Sequence, residues 1–265
     1  MSKRIFIDGS INSELCIISA DGQEINYFDY SDDLATSKKN NIYLGTVSRV
    51  EPSLQAAFIE FGSEKKAFLP FDEIHPSYFK LPHNEKILFK NNDKNIYVDD
   101  EKESKRHFLS FYRKYKIQDV IKKDQVLLIQ IVKEERGTKG AAITTFISLP
   151  GRYSVLLPNN SSSGGVSKKI SNPLDRKRLK RLHDNLNLPE GMSLIIRTNA
   201  ISAEDDDIIS DFSYLRKLWT KIRDDTLKSK APVLISELDT PIIKIVRDFN
   251  QRSMEEIIFS DLKTM

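Results

Sequence analysis

A single cysteine, Cys16, stands in 265 residues. One thiol excludes an intrachain disulfide framework and any multi-cysteine zinc site. It lies among Leu15, Ile17 and Ile18 in a strand-like run, where a thiol serves to fill core space. Long hydrophobic runs are also missing. No apolar stretch reaches the ~18 residues that a membrane-crossing helix needs. After the basic pair Lys3-Arg4, only Ile5-Phe6-Ile7 follows, too short for the apolar region of a signal peptide. A soluble cytoplasmic protein is expected. Histidine is sparse, and His75, His83, His107 and His183 show no metal-ligand spacing. An excess of either charge is absent too: 41 Lys+Arg against 38 Asp+Glu leave +3, which alone does not mark a nucleic-acid binder.

What is present is enough apolar material for real cores, 39% of the chain, and 30% charged residues distributed unevenly. The length suits one large domain or a few small ones. One basic cluster comprises Lys168, Lys169, Arg176, Lys177, Arg178, Lys180 and Arg181. A second comprises Lys102, Lys105, Arg106, Arg113, Lys114 and Lys116. Such runs are ordinarily solvated faces, and they are also the electrostatic footprint of a polyanion site.

The chain opens on a hairpin over residues 4–30, with Leu15–Ser19 and Ile25–Tyr30 as strands and Asp21-Gly22 as the turn. Asp32–Asn41 is polar and linker-like. Ile42–Val50, Leu54–Phe61 and Lys66–Leu69 are short strands at the spacing of a small antiparallel barrel of the OB type, resuming at Val126–Val132 after an irregular insert over about 80–116. Asn172 before Pro173 caps a helix with Leu179, Leu182 and Leu186 on its apolar stripe, ended by Leu188-Pro-Glu-Gly191. Ser193–Arg197 is a strand. Ser202 with Asp205 is a capping signal for a helix carrying Ile208, Phe212, Leu215, Trp219 and Ile222. Thr240-Pro241 opens a further helix, and Glu256–Phe259 is a last strand. The fold class is α+β with several subdomains.

Two places carry chemistry. The run Ile131–Leu149 leads a strand into the basic turn Arg136-Gly-Thr-Lys-Gly140 and a Thr-rich strand. Gly151-Arg-Tyr-Ser-Val155 and a Gly164-Gly165 loop ending in Lys168-Lys169 come next. Backbone amides, hydroxyls and lysines gathered this way suit phosphate oxygens. In the barrel strands, side-chain alternation puts Phe58 on one face with Glu60 and Phe68 with Lys66. Aromatics on charged faces are either stacking platforms for unpaired bases, each contributing roughly 1–3 kcal/mol, or a second small core beneath the insert. Arg197-Thr198, ending a strand, offers a planar fork and a hydroxyl to a phosphate, or is an ordinary strand end.

Together with Asn41-Ile-Tyr-Leu-Gly-Thr-Val-Ser-Arg-Val-Glu-Pro-Ser-Leu-Gln-Ala-Ala-Phe-Ile-Glu-Phe-Gly62, the middle run resembles the N-terminal half of the ribonuclease E/G family. The resemblance covers nearly the whole chain outside about 80–116. It implies an OB-fold barrel inserted in a ribonuclease H-like subdomain, plus a 5′-sensor subdomain. The implied boundaries are 1–36, 37–140, 141–215 and 216–265. Phe58, Phe68 and Lys139 match positions where the family's barrel contacts single-stranded RNA. Gly191-Met-Ser-Leu-Ile-Ile-Arg-Thr198 is similar to the motif of the pocket that grips a 5′-monophosphate and is too small for a triphosphate. Arg197 and Thr198 supply its side chains, and Gly151 and Val155 its main-chain positions. Lys168 and Lys169 stand where the family is also basic and would track the RNA backbone.

The acids are read more plainly. Glu204-Asp205-Asp206-Asp207 sits at a helix start and suits the helix dipole, and Asp99-Asp100-Glu101 lies in the irregular insert. Asp8 in Ile7-Asp8-Gly9-Ser10 resembles the first-strand metal ligand of true ribonuclease H enzymes, without convincing partner carboxylates. In the family, cleavage belongs to a later subdomain whose aspartates hold a magnesium ion, and a Cys-Pro-x-Cys motif shares a zinc between subunits. Neither set carries over to residues of this chain, so no catalytic residue, cofactor or metal ligand is assigned. The implied partners are single-stranded RNA, preferably 5′-monophosphorylated, and a separate chain carrying the catalytic subdomain. The alternatives are a self-sufficient ribonuclease H-like metal nuclease using Asp8, and an inactive structural remnant.

Overall fold

The computed structural model describes residues 3–9, 15–31, 37–81, 112–160, 164–238, 240, 242–244, 247 and 254–260. Most of the insert expected at about 80–116, with His83, His107 and half of the second basic cluster, lies outside these residues, as do Ser161–Ser163. The chain divides into two compact units, residues 39–238 and residues 1–38 with 239–265.

The larger unit is organised around a barrel. Strand β4 (Ile42–Glu51) pairs antiparallel with β5 (Ala56–Glu60) on one side and β7 (Val126–Lys133) on the other. β5 pairs with β6 (Ala67–Pro70), β6 runs parallel to β8 (Ala142–Thr144), and β8 returns to β7, closing a five-strand OB-type cylinder. The alternation of each strand decides its interior. Ala57, Ile59 and Phe61 point in with Leu69, Leu127, Ile129 and Ile131, while Phe58 and Glu60 point out. Each such aliphatic or aromatic side chain contributes roughly 1.5–3 kcal/mol by leaving water. The described C-terminal end of the insert also packs inward. Tyr112 meets Phe71 edge-on at 5.2 Å, and its hydroxyl donates to the Ile74 carbonyl at 2.8 Å. Burial and the Asp72 and Glu73 carboxylates push that hydroxyl's pKa up.

Buried Gln130 fastens the barrel to the neighbouring sheet. Its amide donates to Asn40 O and Ser148 O, and its Oε1 accepts from Ser148 N at 2.8 Å, so its polar atoms are matched. After Ser148, β9 (Leu149–Pro150), β10 (Ser154–Leu157), β11 (Gly165–Val166) and β12 (Ser193–Ile196) form that sheet in the order β11-β12-β10-β9. Helix α1 (Pro173–Asn185) starts as its sequence dictates, with Asn172 Oδ1 accepting from Leu174 N at 2.9 Å and Leu179 and Leu182 buried.

Helix α2 (Asp205–Lys228) buries Ile208, Phe212, Leu215 and Ile222 and runs unbroken through residues 215 and 216. Ser202 is not its cap. The residue there is Glu204, with no side-chain cap bond, because Thr198–Ser202 forms a separate 3-10 turn. Arg178 holds that turn, donating to the carbonyls of Ala200, Ile201 and Ala203. A strand not visible in the sequence, β13 (Val233–Ser236), adds to β4 beside the cylinder.

The smaller unit is a sheet of β1 (Lys3–Asp8), β2 (Leu15–Asp21), β3 (Glu24–Ser31) and β14 (Met254–Phe259), ordered β14-β1-β2-β3 with β14 parallel to β1. Ile5, Ile7 and Ile17 form its core with Tyr27, Ile242, Ile257 and Phe259. Residues 242–244 are helical, as Thr240-Pro241 suggests, whereas Ile245, Val246 and Phe249 lie outside the described residues.

Candidate functional site

Register gathers the barrel residues. Arg49 of β4 lies opposite Phe58 of β5, Phe58 opposite Phe68 of β6, and Phe68 beside Ala142 of β8. The two rings meet edge to face at 5.9 Å and 66°, and the Arg49 guanidinium lies over the Phe58 ring, 4.9 Å from its centroid. Both phenylalanines are half-buried, and neither joins the barrel core. A cation over one ring and a second ring beside it make a surface on which a nucleotide's base and phosphate can both be met. The sequence alone does not single out Arg49. Its signal is the alternation of β4, which becomes meaningful only once register places it beside Phe58.

Lys139 lies in the tight turn Arg136–Lys139, closed by bonds of 3.1 and 3.0 Å between the two residues' backbones. The turn is docked on the loop before β6. Lys65 Nζ donates to Gly137 O, and Phe68 N donates to Ala141 O at 2.7 Å. Gly140 permits this approach, since a Cβ there would lie 1.9 Å from the Lys66 carbonyl oxygen. Lys139 is exposed two residues from the carbonyl that pairs with Phe68.

The Thr-rich strand behaves otherwise than its composition suggests. Thr144 and Thr145 are buried, and their hydroxyls are used internally. Thr145 Oγ1 donates to Glu73 O at 2.9 Å and accepts from His75 N at 2.6 Å, while Thr144 Oγ1 accepts from Phe146 N at 3.0 Å. They tie the end of β8 to the turn at Glu73 and His75, and these hydroxyls are not available to a phosphate. His75 beside them is stripped of water, which lowers its pKa from the ordinary 6.5 to about 4.

At the second place, the turn between β9 and β10 meets the end of β12. Arg197 Nη1 donates to the carbonyls of Gly151 and, at 3.5 Å, Arg152. The Arg197 backbone N–H donates to Tyr153 O at 2.8 Å. The guanidinium's Nε and Nη2 donors have no partner among the described residues, and Thr198 beside it is exposed. Gly151 is buried, and half-buried Val155 is paired with Ile195 one register step from Ser154↔Ile196. Gly151, Arg197 and Thr198 thus adjoin, with Val155 in the strand alongside. Lys168 and Lys169 are exposed on the turn after β11.

Asp211 of α2 has no place in the sequence-based expectation. Its carboxylate accepts from the backbone N–H groups of Arg152, Tyr153 and Ser154 at 3.0, 3.1 and 2.9 Å, and from Ser154 Oγ at 2.7 Å. A carboxylate taking four donors fixes the turn whose carbonyls hold Arg197. Nothing local marks it, because its partners lie 57 to 59 residues earlier.

No group of three or more His, Cys, Asp or Glu suited to a metal ion occurs among the described residues, Asp8 included, so no step is assigned to magnesium or zinc on these residues. Nor is any helix among the described residues long and apolar enough to cross a membrane.

A closed OB-type barrel carrying an aromatic and cationic row, joined to an α/β sheet with an arginine-centred turn, defines a multi-subdomain α+β protein built on an OB-type barrel. The sequence pattern of the Ribonuclease E/G family matches residues 148–265. The chain is 36% identical over 263 residues to Ribonuclease E of Escherichia coli (strain K12), covering 99% of this chain and 22% of that protein. It is likewise 36% identical over 263 residues to Ribonuclease E of Buchnera aphidicola subsp. Schizaphis graminum, covering 99% and 24%. To Ribonuclease G of Salmonella typhimurium (strain SL1344) it is 33% identical over 220 residues, covering 82% and 39%. The chain belongs to the ribonuclease E/G family. It spans about a quarter of the length of these ribonuclease E relatives.

Proposed function

We propose that these residues are the RNA-binding and 5′-monophosphate-sensing portion of a ribonuclease E/G-type endoribonuclease acting in RNA processing and decay. In this reading they hold and orient the strand, and they do not cut it unaided. The observation that carries it is the Arg49–Phe58–Phe68 row, which gives an unpaired base a ring to stack on and its phosphate a cation. Stacking on such a barrel contributes roughly 1–3 kcal/mol per base and tolerates any sequence. The strand's 5′ phosphate would be met by the Nε and Nη2 donors of Arg197 and the Thr198 hydroxyl, in a charge-assisted fork. Gly151 and Val155 would line it with main chain, and Lys139, Lys168 and Lys169 would meet backbone phosphates.

The test is fluorescence anisotropy with a short unstructured RNA labelled at its 3′ end, carrying either a 5′-monophosphate or a 5′-hydroxyl. Wild-type protein is expected to bind both, the monophosphate more tightly, and Arg197→Ala to equalise them. A ratio unchanged by Arg197→Ala refutes the pocket. Cleavage of the RNA by wild-type protein in magnesium, lost in Asp8→Asn, would favour a nuclease centred on Asp8.

A further inference from the structure

The basic residues between 168 and 181 divide by what they touch. Arg176 Nη1 donates to Ser167 O at 3.1 Å and Ile170 O at 3.4 Å. Arg178 donates to three carbonyls of residues 200–203 and pairs with Asp205 at 2.6 Å. These two arginines are structural. They tie both the Lys168-Lys169 turn and the Thr198–Ser202 turn to α1. Lys177, Lys180 and Arg181 serve no such purpose. At spacings of three and four residues they share one face of α1, opposite buried Leu179 and Leu182. All three are exposed and have no side-chain partner among the described residues. With the exposed Lys168-Lys169 turn, which Arg176 ties to the same helix, they gather five cations on α1 and the turn before it, while Arg178 ties the turn that Thr198 opens to that helix as well.

We propose that this face of α1 is a further RNA contact, holding the sugar-phosphate backbone of the strand whose 5′ end reaches Arg197 and Thr198. It rests on the RNA-binding reading and extends it to residues that no stacking or end-recognition role includes. An RNA backbone fits better than an anionic membrane. A membrane-surface helix presents an apolar face to lipid, whereas α1 buries Leu179 and Leu182 in protein and turns only Leu174 outward, 77% exposed. Cations held by no fixed partner, as Lys177 and Lys180 are, suit a polyanion read for charge and not for sequence.

The test measures RNA affinity of the full chain by anisotropy across a potassium chloride series. Wild type is compared with the triple variant Lys177→Gln, Lys180→Gln, Arg181→Gln. Three lost phosphate contacts should lower the slope of log affinity against log salt by about 2, at ~0.7 per contact for a single strand. The ratio of 5′-monophosphate to 5′-hydroxyl affinity should stay at its wild-type value. Lys168→Gln with Lys169→Gln, outside the helix, should lower the slope by about 1.4. Lys217→Gln with Lys221→Gln on exposed α2 positions should leave it unchanged. Circular dichroism melting verifies that each variant is folded. A triple variant with the wild-type slope overturns this surface and leaves the reading it rests on intact. An equal loss in the α2 variant overturns it as mere net charge. Wild type that ignores RNA but binds phosphatidylglycerol vesicles overturns both.

Discussion

A Cβ at Gly151 would lie 2.5 Å from Oδ2 of Asp211, so the glycine is what lets α2's carboxylate reach under the turn. The same carboxylate then takes three backbone donors and a hydroxyl, and the Gly151 carbonyl faces the other way to accept from Arg197. Glycine, carboxylate and guanidinium form one chain of contacts from α2 to the proposed phosphate pocket.

Two variants probe that chain. Gly151→Ala forces Asp211 away from the turn, and Asp211→Asn replaces a four-fold acceptor by a group with one oxygen. Each should lower stability by roughly 1–3 kcal/mol and bring the affinities for 5′-monophosphate and 5′-hydroxyl RNA together. Titration of both RNAs at a temperature where each variant is folded measures this. A lowered melting temperature with an undiminished ratio would show that Asp211 merely holds the fold.

Phe58→Ala and Phe68→Ala should each weaken binding of unstructured RNA by roughly 1–3 kcal/mol. Their effects should not add, because the rings touch at 5.9 Å. Arg49→Gln should lose less, and its loss should vanish in the Phe58→Ala background, where the guanidinium has no ring to lie over. A double-mutant cycle on binding free energies checks all three. Additive losses would mean that the row does not act as one surface.

Elements with a strong local period are legible from the residues: the barrel strands, the Asn172-capped helix and the Ile208–Ile222 stripe. What stays hidden depends on residues far apart in sequence. β13 is a four-residue strand whose existence depends on the open flank of β4. Thr144 and Thr145 resemble phosphate ligands because composition does not say which strand faces will be buried. The role of Asp211 requires the turn at 151–154 to be brought against α2. Alternation alone places Phe58 and Phe68 on charged faces, but their pairing, and that of Arg49, emerges only from register.

His75 makes stability depend on pH. Its folded pKa, about 4, lies below the 6.5 of an exposed imidazole because burial disfavours the cation. Between those values the unfolded chain binds a proton that the folded chain does not. Its contribution is therefore complete above about pH 6.5 and is lost as pH falls toward 4, up to about 3 kcal/mol. Urea midpoints at pH 7.5 and 5 should differ in the wild type, and by less in His75→Gln, which cannot titrate. Equal pH dependence in the two would assign the effect to other groups.

Gly140 bears on both fold and binding. An alanine methyl there would sit 1.9 Å from the Lys66 backbone oxygen, and backbone, unlike the end of a side chain, cannot swing aside. Gly140→Ala must push the Arg136–Lys139 turn off the loop before β6 and disturb the bond from Phe68 N to Ala141 O. The expected cost is roughly 1–3 kcal/mol, the range for forcing atoms into a filled space. RNA affinity should fall more than in Lys139→Ala, since the alanine displaces Lys139 and also disturbs the strand carrying Phe68. Denaturant unfolding and anisotropy on the two variants decide it. Equal RNA losses would mean that the turn presents Lys139 without bracing the aromatic row.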